Sequence, residues 1–325
     1  MFEVTKKIIT PIKLKQQLPV DAKLAEKKAN FDRMLKDNFV SKDKLVVVVG
    51  PCSADDPVAV QEYCQKLKTL ADKVAQKIIV VARIYTAKPH SDGDGYLGLA
   101  FHEKESDNID LDSGLYKCRQ MMLSCLEVGL PVADELLFTS HYNYFDDLVS
   151  YWFVGARSSA DTLHRSFASG IDTVVGVKNA TEGNLLQTAQ SLYAISRPKT
   201  FLLDGNQVVT SGNQCVHAVL RGYSNNEKLV ANMDESSVSK MIDYCNLFGL
   251  NPFVMVDVSH ANSNKVAKNQ IENAFAVVGN KDVHGIMLES YLHHGKGNGY
   301  GLSKTDECLS FEETESLIWQ LFQLR

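Results

Sequence analysis

No apolar run in this 325-residue chain approaches the length of a membrane helix, which needs roughly 18 or more residues. The first residues, Met1-Phe2-Glu3-Val4-Thr5-Lys6-Lys7, lack the apolar stretch of a secretory signal. The seven cysteines (52, 64, 118, 125, 215, 245, 308) are scattered, odd in number and contain no CxxC pair. That argues against a disulfide framework and for a reducing compartment, so a cytoplasmic location is expected. The net charge of −5 gives no reason to expect nucleic acid or an anionic membrane as partner. No G-x-G-x-x-G opens a helix after a strand, and neither G-x-x-x-x-G-K-[ST] nor G-x-S-x-G occurs. A Rossmann dehydrogenase, a P-loop NTPase and an α/β-hydrolase all lose support. There is no short repeat and no low-complexity segment.

What is present is a rhythm. The 45% hydrophobic content is ordinary for a globular protein. It is distributed in eight short runs rich in Val and Ile, at 45–49, 78–81, 130–133, 152–156, 174–177, 216–220, 253–258 and 286–288. Their near-continuous apolar character suits strands buried on both faces, as in a parallel sheet. Helix-like segments fall between them, at 58–75, 114–128, 161–168, 182–193, 236–248, 265–277 and 311–324. In the first, Val60, Tyr63, Leu67 and Leu70 share one face at helical spacing. Eight strand–helix alternations predict a (β/α)8 TIM barrel, which at this length is one domain. Residues 1–43 read as an N-terminal extension with a charged helix over 21–36, and 44–325 as the barrel. Two stretches break the rhythm. Residues 89–109 form a long polar loop after the second strand, of the kind that is functional at a barrel mouth. Residues 200–209 read as an inserted hairpin, with Asp204-Gly205 as a type I′ turn.

Nearly every apolar run ends in a residue that can do chemistry: Cys52, Arg83 and then Lys88, Glu135, Arg157, Lys178, Arg221, His260 and Glu289. Parallel barrel strands put all these ends at one mouth. Long cations usually sit on solvated faces, but five of them at buried strand ends require an anionic counterpart. The expected ligand is small and carries more than one negative charge, since Arg pairs bidentately with carboxylate or phosphate and Lys acts as a point charge. Cys52, His260, Glu289 and Asp306 bring together a thiolate, an imidazole and two carboxylates. Such a mixed set suits a borderline divalent ion such as Mn, Fe, Co or Zn, although the spacing matches no zinc-finger or HExxH pattern. Singly, a Cys after Gly-Pro is a small packing residue, and a His after a strand is a hydrogen-bonding one. Asp257 and Glu135 admit two readings each, a structural partner for a nearby cation or, for Glu135, a group that positions water.

Taken in order, the motifs resemble one family. They are Gly50-Pro51-Cys52-Ser53, Gly155-Ala156-Arg157, His164-Arg165, Ala168-Ser169-Gly170, Gly176-Val177-Lys178-Asn179, Thr210-Ser211-Gly212-Asn213, Leu220-Arg221-Gly222, Asp257-Val258-Ser259-His260-Ala261-Asn262-Ser263, Glu289-Ser290 and Thr305-Asp306-Glu307-Cys308. The set is similar to type I 3-deoxy-D-arabino-heptulosonate 7-phosphate (DAHP) synthase from about residue 11 to the end. The resemblance implies a metal-dependent barrel that condenses phosphoenolpyruvate with erythrose 4-phosphate, the first step of the shikimate pathway. It implies Cys52, His260, Glu289 and Asp306 as metal ligands, and Arg157, Lys178 and Arg221, with Arg83 and Lys88 close by, as phosphoenolpyruvate-binding cations. Glu135 matches a carboxylate that holds the attacking water. Lys88, Glu135, His260 and Asp306 are the residues expected to act in the chemistry. The resemblance also implies a homodimer or homotetramer, joined through the N-terminal arm.

The sequence departs from the family at the acceptor. The family usually reads Lys-Pro-Arg-Thr after the second strand, where this chain has Lys88-Pro89-His90-Ser91. His90 and Ser91 stand at the acceptor-binding positions, and a neutral His does not replace a permanent bidentate cation. The following loop also lacks the family's Trp-Lys-Gly-Leu and Asp-Pro pattern. Three readings follow: a DAHP synthase with weakened erythrose 4-phosphate binding, a paralogue that uses another aldehyde, which need not carry a phosphate, and a non-catalytic barrel that senses phosphoenolpyruvate or metal. The inserted hairpin is shorter than the family's and lacks its Thr-Lys and Ser-Ala-Ile-Val residues, so weak or absent feedback inhibition by aromatic amino acids is expected.

Overall fold

The computed structural model describes residues 1–89, 95–101 and 109–325. Its centre is a closed parallel barrel of eight strands. Around the ring these are β1 (Leu45–Gly50), β2 (Ile78–Arg83), β3 (Val132–Glu135), β4 (Val149–Val154), β5 (Val174–Lys178), β8 (Val216–Leu220), β11 (Val254–Asp257) and β12 (Val283–Glu289), with β12 closing on β1. All eight apolar runs are therefore barrel strands. The fourth starts earlier than its sequence suggested, because Val149, Ser150 and Tyr151 are also buried in the sheet.

The surrounding helices begin where acidic or amide side chains cap them. Asp56 caps α3 (Pro57–Val74), Asp110 caps α4 (Leu111–Val128), Asp161 caps α6 (Thr162–Ala168), and Asn184 caps α7 (Leu185–Ile195). Asp234 caps α8 (Glu235–Leu247), and Ser310 with Glu313 forms a capping box on α10 (Phe311–Leu324). A short α5 (Tyr142–Phe145) lies between β3 and β4. The helix expected at 265–277 starts later, as α9 (Asn269–Val278). Asn264 and Lys265 have left-handed backbone (φ 52° and 60°), and residues His260–Ser263 form a separate 3-10 turn.

Two antiparallel hairpins are added. β6 (Thr200–Leu203) and β7 (Asn206–Val209) are the expected one, with Asp204 and Gly205 both at positive φ. β9 (Tyr223–Asn225) and β10 (Lys228–Val230) form a second that the sequence did not announce, because its left-handed turn residues are Asn226 and Glu227 and no glycine marks it. At the N-terminus, α1 (Pro11–Gln17) precedes α2 (Ala22–Ser41). α2 runs past the predicted end at residue 36 because its buried face continues through Asn38 and Phe39.

Side-chain parity organises the interior. Alternate residues of a strand face opposite sides. Val46, Val48, Ile79, Val81, Ala133, Tyr151, Phe153, Val174, Val219, Met255 and Met287 form one inner cluster, distinct from the layer under the helices. At the N-terminal end of the strands this cluster is sealed by Leu35 and Phe39 of α2 and by Phe253. At the other end, two residues beyond Val81, Ala133, Val219, Met255 and Met287 stand Arg83, Glu135, Arg221, Asp257 and Glu289, and Lys178 lies four beyond Val174, past Gly176. The functional side chains are thus the top layer of the barrel core.

Candidate active site

The strand ends enclose a cavity of about 520 Å³ lined by Cys52, Arg83, Lys88, Glu135, Arg157, Lys178, Arg221, His260 and Asp306, among others. Three of its cations form one arc. Arg157, Lys178 and Arg221 follow or end β4, β5 and β8, three adjacent strands. Lys178 is almost fully buried, with Nζ 3.3 Å from Glu135 Oε2 and 4.0 Å from Asp257 Oδ2. Burial alone would raise the Glu135 pKa, but Lys178, then Lys88 and Arg83, hold it below the usual carboxylate range. Glu135 is therefore ionised and faces the cavity as a hydrogen-bond acceptor. A side chain at Gly155 would run into Glu135 Oε1, so glycine is required there for the carboxylate to fit. Burial, reinforced by Arg157, lowers the Arg221 pKa, while Asp257 opposes the shift. Cations this close favour an anion among them.

Arg83, expected among the substrate-binding cations, lines the cavity and also has structural partners. Its guanidinium donates to the carbonyls of Pro51 and Cys52 and, at 3.0 Å, to Glu289 Oε1. It is fully buried and holds the Cys52 loop and Glu289 together. Lys88 Nζ lies 2.9 Å from Cys52 Sγ, between the cationic arc and the thiol. His90 and Ser91 lie outside the described residues.

Cys52, Glu289 and Asp306 each bring one ligand atom to within 4.8 Å of the others. His260 stands at the edge of this group, with Nε2 3.8 Å from Glu289 Oε1. Its other nitrogen, Nδ1, is 2.8 Å from Ser259 Oγ and 2.8 Å from Asp257 Oδ2. Ser259 Oγ in turn donates to Asp257 Oδ1 at 2.6 Å. These contacts fix the ring through Nδ1 and leave Nε2 directed at the cluster, the orientation that a metal-binding imidazole takes when a carboxylate holds its other nitrogen. His260 keeps a left-handed backbone (φ 49°) to do so, a strain typical of functional sites. Glu289 is held at about 2 against burial, first by His260 and then by Arg83 and Lys88. Burial and the Glu289 charge raise the Cys52 thiol, with Lys88 and Arg83 opposing. A protonated thiol beside ionised carboxylates is a donor set that a divalent cation would deprotonate and neutralise. The residues present fit such an ion.

Three supporting features were not singled out from the sequence. The Tyr85 ring lies under the cations, 3.8 Å from Arg83 Cζ, 5.1 Å from Lys178 Nζ and 5.9 Å from Lys88 Nζ. A relay of buried amides ties the strand ends together. Asn179 Oδ1 accepts from Arg221 N and Asn232 Nδ2, Asn232 Oδ1 accepts from Gly222 N, and Asn262 Oδ1 accepts from Asn232 N. Gln270 brackets Glu289 through both of its backbone groups. Asn179 and Asn262 sat inside quoted motifs. Their role was open to a rule that buried amides satisfy loop backbone.

Fold and site together define a (β/α)8-barrel enzyme that takes a small, multiply charged anion beside a cluster of metal-type donors. The profile of the DAHP synthetase I family matches residues 23–324. The Tyr-sensitive phospho-2-dehydro-3-deoxyheptonate aldolase of Escherichia coli is 33% identical over 335 residues, covering 97% of this chain and 92% of that protein. The enzyme of Haemophilus influenzae with the same activity name is 33% identical over 340 residues, covering 98% and 92%. The structure of phospho-2-dehydro-3-deoxyheptonate aldolase from Francisella tularensis superposes with a TM-score of 0.94 at 29% identity, covering 99% of this chain and 98% of that one. The chain belongs to the DAHP synthetase I family.

Proposed function

We propose that this protein condenses phosphoenolpyruvate with erythrose 4-phosphate to give DAHP and phosphate, the entry step of aromatic amino acid biosynthesis. The observation that carries the proposal is the division of one cavity between a cationic arc and a thiol–imidazole–carboxylate cluster. Arg157, Lys178 and Arg221 hold the carboxylate and phosphate of phosphoenolpyruvate, with Tyr85 supporting Lys178 from beneath. Cys52, His260, Glu289 and Asp306 would hold one divalent ion, of the Mn, Fe, Co or Zn kind. When bound, that ion acts as a Lewis acid on the aldehyde oxygen. Lys88 sits between the two halves and offers its ammonium to charge that develops where the substrates meet. C3 of phosphoenolpyruvate forms the new bond to the aldehyde carbon. Water then adds at C2, oriented by the ionised Glu135, and phosphate leaves.

The sequence Lys88-Pro89-His90-Ser91 favours a second reading, in which the acceptor is an unphosphorylated aldehyde. Phosphate release from phosphoenolpyruvate over a panel of aldehydes decides. Preference for erythrose 4-phosphate supports the first reading, and faster turnover of an unphosphorylated aldehyde rejects it.

Residues 1–43 form the extension that we assign to association into a homodimer or homotetramer. Met1, Phe2 and Val4 are exposed on it, as such contacts require. Among the described residues no helix is long and apolar enough to cross a membrane, and a cytoplasmic site of action fits the biosynthetic role. The short β6–β7 hairpin supports weak or absent feedback control. Phe, Tyr or Trp at sub-millimolar concentration should leave the rate unchanged, and strong inhibition would show this assignment wrong.

A further inference from the structure

The cavity has a second cationic wall that the reactions above do not use. Lys265 and Lys304 line it beside Asp306 and Tyr96. Lys265 follows β11, and Lys304 lies in the loop between β12 and α10. Lys265 Nζ is 3.9 Å from Asp306 Oδ1. Lys304 Nζ is 3.6 Å from Asp55 Oδ2 and 5.3 Å from the Tyr96 ring centroid.

Topology separates this wall from the first. Arg157, Lys178 and Arg221 belong to β4, β5 and β8, whereas Lys265 and Lys304 follow β11 and β12, and Asp55 follows β1. Cys52, Glu289 and Asp306 belong to the β1–β12 side as well. For an aldehyde whose oxygen lies at the Cys52–Glu289–Asp306 cluster, with phosphoenolpyruvate on the first arc, the second wall offers cations in the same cavity, Lys265 within 3.9 Å of Asp306. Two polyanions cannot share one set of cations without strong repulsion, so a phosphorylated acceptor needs its own. Lysines suit this task, because a compact ammonium on a flexible stem follows a tetrahedral phosphate in any rotation.

The geometry points to Lys265 and Lys304 as the clamp for the phosphate of the acceptor aldehyde, and hence as the residues that select a phosphorylated acceptor. The inference rests on the condensation reading given above.

The test is steady-state kinetics of the full-length, metal-loaded protein as Lys265→Gln, Lys304→Gln, the double variant and Lys304→Arg. The expected result is a KM for erythrose 4-phosphate raised about tenfold in each single glutamine variant and further in the double, with the KM for phosphoenolpyruvate within about twofold of the parent. Lys304→Arg restores most of the acceptor affinity. Inorganic phosphate competes with erythrose 4-phosphate in the parent and loses that competition in the double variant. An unchanged KM for erythrose 4-phosphate in the double variant overturns the inference, as does an equal rise in both KM values. A parent enzyme that consumes no phosphoenolpyruvate with erythrose 4-phosphate overturns the condensation reading itself, and the clamp with it.

Discussion

The two ends of the barrel are built by the same eight strands and the same inward-facing series, yet they have opposite chemistry. At the floor the inward residues are packed against Phe39 and Leu35 of α2, and Phe39 stacks on Phe253 with ring centroids 5.3 Å apart. The polar exception is His217, fully buried, whose Nε2 is 2.5 Å from Tyr151 Oη and whose Nδ1 meets the Ala218 carbonyl. At the mouth the same series ends in cations and carboxylates, whose burial is offset in part by pairs such as Arg83 with Glu289 and Lys178 with Glu135. The difference teaches where stability and activity are stored. The floor keeps the barrel closed, and the mouth holds unfavourable charge density ready for a ligand.

The sharpest way to break this comparison is at the metal cluster. Cys52→Ala should lower kcat/KM by at least about a hundredfold and weaken divalent-ion binding, with no loss of thermal stability in the metal-free protein. Activity assays and metal titration would check it, and retained activity would refute the role of Cys52. The mirror experiment is at the floor. Phe39→Ala should cost about 3–5 kcal/mol of unfolding free energy while leaving both KM values intact. Urea denaturation reads the first effect and initial-rate kinetics the second. If Phe39→Ala impaired activity at temperatures where it stays folded, floor and mouth would not be separable.

A smaller effect is expected from pH. Burial lowers His217 to about 4 and His284, near the same floor, also to about 4. A histidine kept neutral in the fold stabilises fully above its ordinary value of about 6.5 and loses that contribution as pH falls toward about 4. Between pH 6.5 and 5 this amounts to about 2 kcal/mol from His217. The slope of stability against pH should flatten in Tyr151→Phe/His217→Leu, which removes both polar partners together. An unchanged slope would mean that other groups carry it. The smallest effect is expected at Tyr85. Tyr85→Leu should raise the KM for phosphoenolpyruvate a few-fold, in line with about 0.5–1 kcal/mol for a cation–π contact. Tyr85→Phe should be near the parent, since among the described residues the hydroxyl meets just the weakly accepting Met287 sulfur, at 3.9 Å.

Much of this was legible before any coordinates. Each barrel strand was marked by its own apolar run, and the residues ending those runs line one cavity, except Glu289, which stands behind it on Arg83 and beside Cys52 and Asp306. The expected hairpin was legible because Asp204-Gly205 is a turn with a mechanism. What stayed hidden depends on tertiary partners. Nothing local shows that Arg83, besides lining the cavity, ties Pro51, Cys52 and Glu289 together. The start of α9 was misplaced because the left-handed residues Asn264 and Lys265 are not glycines. Lys265 and Lys304 lie in loops, away from the strand ends that drew attention, and only closure of the barrel places them on one wall.

The inward series has a consequence for how such a protein changes over time. Because the side-chain period is two, removing one residue from β5 would exchange Lys178 for its apolar neighbour and turn the whole strand inside out. Substitutions can retune the top layer one residue at a time, but length changes within a strand are forbidden. Lineages of this barrel should therefore accumulate insertions and deletions in the loops beyond the strand ends, where the acceptor is chosen, while the frame below keeps its register.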